Sequence, residues 1–148
     1  MATIDEAGLA RRLDRFVIET PSWGYADTGT RFGKFLQAAA AVTVEEKLAD
    51  AGQVHRLTGC CPSVALHVLW DFPYGEDGRL IGSASEVGRL VAAKAAAQGV
   101  RVGSINPNLF QDQRYKLGSV TNADPDVRRL AIETYMQRGQ PLIIVAGA

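Results

Sequence analysis

An α/β fold built on a parallel sheet is what the sequence predicts, on three observations. Four short apolar runs of strand length recur along the chain: Phe16–Ile18, Ser63–Asp71, Val100–Ile105 and Pro141–Ala146. Helical periodicity fills the intervals between them, each long enough for a right-handed crossover. At 148 residues with 47% hydrophobic and 22% charged residues, the chain has material for one domain with a real core.

The first element expected is a helix over 3–14, with Ile4, Leu9 and Leu13 on a loose apolar side. Phe16-Val17-Ile18 then reads as a strand halted by Pro21. The stretch from Pro21 to Phe32 is rich in Gly, Thr and aromatic residues, and long loops in compact domains usually carry function. Thr43-Val44-Glu45-Glu46 is a capping box, in which hydroxyl and carboxylate each satisfy the other residue's amide. Its helix runs to Leu57, with Val44, Leu48, Ala51, Val54 and Leu57 on the apolar face and His55 on the solvated one, and Gly59 stops it.

Pro62 opens the second strand, Ser63 to Asp71, which must end before Phe72-Pro73-Tyr74-Gly75. A second capping box, Ser83-Ala84-Ser85-Glu86, starts a helix over 84–98 with Val87, Leu90, Val91, Ala95 and Ala97 facing inward. The third strand follows at 100–105 and closes on the turn formers Asn106-Pro107. Asp124 and Pro125 suit the N-cap and first position of another helix, whose buried side is Val127, Leu130, Ala131 and Tyr135. Gly139 is expected to end it, and Pro141–Ala146 to form the fourth strand. Four strands fit a small open sheet or the first part of a (β/α)₈ barrel, and periodicity does not separate the two.

Ligands collect at the carboxyl ends of strands in parallel folds. His67 and Asp71 stand near such an end and are the best-placed chemistry in the chain. A core histidine bonded to a neighbouring carbonyl accounts for the same pattern. On an extended strand His67 and Asp71 would lie about 13 Å apart, so Asp71 could orient the ring only if the chain turns back.

Other chemistries are disfavoured. Sixteen basic residues balance sixteen acidic ones, which leaves no excess to neutralise nucleic-acid phosphates. No apolar run approaches the roughly 20 residues of a membrane span, and the charged N-terminus has no secretory character. The adjacent Cys60 and Cys61 suit two reduced thiols in a cytoplasmic protein. No GxxxxGK[ST] loop, strand-linked GxGxxG, GxSxG elbow or HExxH motif is present, and two histidines cannot build a His-rich metal site.

Five loop motifs occur in order: Pro21-Ser22-Trp23-Gly24, Gly29-Thr30-Arg31-Phe32, Ala65-Leu66-His67-Val68 with Trp70-Asp71, Ile105–Asp112, and Tyr115–Ser119. Together they resemble the N-terminal part of L-rhamnose isomerase-type sugar isomerases, which are xylose isomerase-like TIM barrels. The likeness spans roughly residues 10–133, and 134–148 departs from it.

The resemblance implies one domain over 1–148, the first part (about four strands) of an incomplete TIM barrel. It implies an aldose–ketose isomerase that moves a hydrogen between C1 and C2 of L-rhamnose or a related sugar, using divalent ions such as manganese. Trp23, His67 and Phe110 would line the sugar pocket, with His67 contacting hydroxyls or assisting ring opening. The family's metal ligands come from later strands, so a truncated chain without bound metal or turnover of its own is expected. Exposed sheet edges would favour self-association. The alternative is a small α/β binding or interaction module without catalysis.

Overall fold

The computed structural model describes residues 5–26, 38–76, 79–107, 109 and 112–146. Its elements run α1 (Glu6–Asp14), β1 (Glu19–Pro21), a 3₁₀ turn (Ser22–Gly24), α2 (Val44–Thr58) and β2 (Ser63–His67). A helical turn α3 (Val68–Asp71), α4 (Ala84–Ala97), β3 (Arg101–Asn106), a second 3₁₀ turn (Gln113–Tyr115) and α5 (Pro125–Ala146) follow. The three strands lie in the order β1-β2-β3, and both pairings are parallel. This alternation of β and α units is the expected α/β class and is consistent with part of a parallel α/β barrel.

Helices α2 and α4 cover one side of the sheet. Leu48 and Ala51 of α2, Val64 and Leu66 of β2, Val87, Val91 and Ala95 of α4, and Val102 and Ile105 of β3 form one buried cluster. Between Val64 and Leu66 the register with β3 shifts, so that Val102 pairs with Val64 and Ile105 with Leu66. The extra residue is a bulge. It lets Val102 and Ile105, three positions apart, both face the core while Gly103 and Ser104 are exposed. Among the described residues that other side of β3 is open, and α1 buries no residue at all.

Both capping boxes are formed as expected. The Thr43 hydroxyl accepts from the Glu46 amide at 3.2 Å, and Glu46 accepts from the Thr43 amide at 3.0 Å. Ser83 and Glu86 repeat the pattern at α4. The amides of Thr43 and Val42 hold the Glu46 carboxyl below its ordinary value, and the Ser83 hydroxyl and amide do the same for Glu86. Carboxyls lowered in the folded state stabilise it above their unfolded values, and that contribution is lost as pH falls through the folded ones. Replacing Thr43 with Ala is expected to cost about 1 kcal/mol, read as a lower urea midpoint with an unchanged slope. Gly59 ends α2 in the left-handed region, φ 71°, as the sequence predicts.

Three expectations are corrected. The first strand is Glu19–Pro21 rather than Phe16–Ile18, whose side chains are 66%, 52% and 44% exposed. Pro21 is tolerated as the last residue of an edge strand, where no ladder donor is needed. The second strand stops at His67, and Val68–Asp71 turns helical. Pro141–Ala146 is not a fourth strand: α5 runs through Gly139 and Pro141 to Ala146. A short apolar run is ambiguous between the two states, and extending a helix already nucleated at Pro125 needs no new strand partner. Three strands, not four, are therefore present among the described residues.

Candidate functional site

The site is built where the chain leaves β1 and β2. Ser22 to Gly24 turns sharply after β1, with the Tyr25 amide donating to the Ser22 carbonyl at 3.1 Å, and this turn carries Trp23. His67 is the last residue of β2, and Trp70 follows one helical turn later. The His67 and Trp70 rings stack with centroids 3.6 Å apart and planes 15° from parallel. Trp23 meets the imidazole edge to face, with centroids 6.0 Å apart at 79°. The imidazole is buried, 1% exposed, whereas both indoles are half-buried. Trp23 and His67 thus converge at the carboxyl ends of neighbouring parallel strands.

Asp71 lies beneath these rings. The helical turn brings it back toward His67, and its carboxylate accepts from the His67 main-chain amide at 2.6 Å. The same oxygen, Oδ2, accepts from the Ser22 hydroxyl. The other, Oδ1, accepts from Lys47 Nζ at 2.7 Å. Lys47 Nζ also donates to the Trp70 carbonyl at 3.1 Å. Ammonium and carboxylate are both buried, their side chains 3% and 0% exposed. Asp71 is thus the acceptor that closes the turn carrying His67 and Trp70. Phe110 lies outside the described residues.

Lys47, Ser22 and Trp70 are the members of the site that sequence reasoning did not single out. A signal for Lys47 existed. It sits three residues after Val44 and four before Ala51, within the apolar stripe of α2, where a lysine is out of place unless its ammonium finds a buried acid. His55, expected on the solvated face, is half-buried instead.

The arrangement offers one ionisable ring able to donate or accept protons and two indole faces of the kind that pack on the C–H side of a sugar. Among the described residues no three His, Cys, Asp or Glu side chains gather to hold a metal ion, so the divalent ion implied by the resemblance has no fitting ligand set there. Cys60 and Cys61 are free thiols with sulfurs 3.7 Å apart. No helix among the described residues is long and apolar enough to cross a membrane.

No family model matches the sequence. The chain is 31% identical over 140 residues to a probable sugar isomerase of Mesorhizobium japonicum, an alignment covering 88% of this chain and 30% of that protein. It is likewise 31% identical over 135 residues to a probable sugar isomerase of Rhizobium meliloti, covering 88% of this chain and 29% of that protein. The chain thus spans less than a third of the length of the curated relatives it matches. Over most of its own length it is related to proteins named probable sugar isomerases.

Proposed function

We propose that this chain forms part of the sugar-binding wall of a metal-dependent aldose–ketose isomerase acting on L-rhamnose or a related sugar. One observation carries the reading: a buried imidazole flanked by two indoles at the carboxyl end of parallel strands. Trp23 offers the half-exposed face that a sugar meets first, and its indole packs against the C–H side of the ring. His67 stands behind it, with two nitrogens suited to bond sugar hydroxyls or to shuttle the proton of ring opening. Asp71 supports the backbone from which His67 projects.

A divalent ion such as manganese would be held by groups other than the described residues of this chain, and polarisation of sugar oxygens is the chemistry it would supply. The protein acts in the cytoplasm, and self-association through the edges formed by β1 and β3 belongs to the same proposal. Nucleic acid and membrane are not partners in it.

The test is optical, because the chain's two tryptophans are Trp23 and Trp70 and both belong to the ring cluster. Titration with L-rhamnose is expected to change tryptophan emission saturably. Trp23→Ala, with Trp70 left as reporter, is expected to weaken that binding about 10-fold, the loss of one aromatic contact. A flat titration of the unaltered protein with L-rhamnose and with common aldopentoses would overturn the sugar assignment.

A further inference from the structure

Three rings meet in the site: His67 and Trp70 are tied through their own backbone atoms to one buried ion pair, and Trp23 through the residue before it. Ser22, whose hydroxyl donates to Asp71, immediately precedes Trp23. The His67 amide donates to the same carboxylate oxygen at 2.6 Å. The Trp70 carbonyl accepts from Lys47 Nζ at 3.1 Å, and that ammonium in turn neutralises Asp71 at 2.7 Å. Lys47 comes from α2 and makes none of the ring contacts itself. A lysine buried on the apolar face of a helix is a poor source of stability, since well-packed hydrophobic replacements of buried ion pairs are often neutral or better. Its geometry serves another end. One ammonium bonds at once to the backbone of the stacking indole and to the carboxylate that fastens the other two rings.

We propose that Lys47 is a positioning residue for the sugar-binding rings: from α2 it fixes the turn Val68–Asp71, and through Asp71 the turn that bears Trp23. The proposal rests on the sugar reading for its purpose, but the placement of the rings can be tested without it. An ammonium anchored in a helix sets the turn more sharply than a neutral side chain would, and sites held this way depend on supporting residues that never touch the ligand.

The test pairs Lys47→Met with Asp71→Asn. The double variant removes both charges together, so no lone buried charge remains to unfold the chain, and the new side-chain amide keeps an oxygen for the Ser22 hydroxyl and the His67 amide. Near-ultraviolet circular dichroism reads the mutual geometry of the two indoles and the imidazole, while far-ultraviolet dichroism and the urea midpoint read the fold. The expected result is a near-ultraviolet tryptophan signal reduced by roughly half or more with the helical signal retained, and L-rhamnose binding weakened roughly 10-fold. A merely structural lysine would move the urea midpoint and leave the near-ultraviolet spectrum as it was. The proposal is overturned if the double variant folds with the near-ultraviolet spectrum of the original. If L-rhamnose does not bind the unaltered protein, the sugar reading falls, and the dichroism comparison still decides the role of Lys47.

Discussion

Asp71→Ala is expected to destabilise the protein by about 3–5 kcal/mol, as removing one partner of a buried ion pair generally does. The change strands the Lys47 ammonium in a setting where its residue is 2% exposed. It also deprives the Ser22 hydroxyl and the His67 amide of their acceptor. Each such orphaned donor adds a desolvation penalty of about 1–3 kcal/mol in its own right, although the penalties overlap. Equilibrium urea unfolding, followed by far-ultraviolet dichroism, measures the loss. A change below about 1 kcal/mol would mean that water reaches the carboxylate and that the pair is not buried in solution.

Leu66→Ala is expected to cost about 2–5 kcal/mol, through lost burial and the cavity left behind. Leu66 is 0% exposed and stands on the central strand, pairing with Ile105 at the bulge. It faces the helices while His67, the next residue, faces the rings. The two neighbouring substitutions should therefore separate: Leu66→Ala lowers the urea midpoint, and His67→Ala chiefly alters tryptophan emission. Comparable losses of midpoint from both would show that the ring cluster is ordinary core.

Legibility followed the range of the interaction. Caps are local, and both boxes, the Gly59 stop and the start of α5 at Asp124-Pro125 were readable, the last with the Asp126 amide donating to Asp124 at 2.8 Å. The closeness of Trp23 and His67 was implied by the family resemblance, and no local signal in either segment gives it. What misled was apolar character taken alone. Leu57 and Leu90 were expected inside and are 78% and 55% exposed. Small residues are instead among the buried positions of both helices: Ala51 and Gly52 on α2, Gly88 and Ala95 on α4. A Cβ on Gly52 would stand 2.4 Å from the Gln98 carbonyl, so α2 comes too near the end of α4 for any larger residue there.

The ends of strands were less legible because other segments decide them. Nothing within Ser63–Asp71 says that a lysine from α2 will take the Trp70 carbonyl, or that Asp71 will fold back on the His67 amide. Those two bonds curl into a helical turn what alternation alone reads as extended chain.

The open side of β3 has a consequence for how the strands come apart. The Glu19 carboxylate of β1 reaches across β2 to accept from the Ser104 amide in the β3 bulge, over the space that Gly103 leaves by having no side chain. Two strands that are not neighbours are thereby latched together. Peeling β1 away would strip that amide of its acceptor, so deuterium uptake at Ser104 should report the departure of β1, a strand with which its own ladder has no direct pairing.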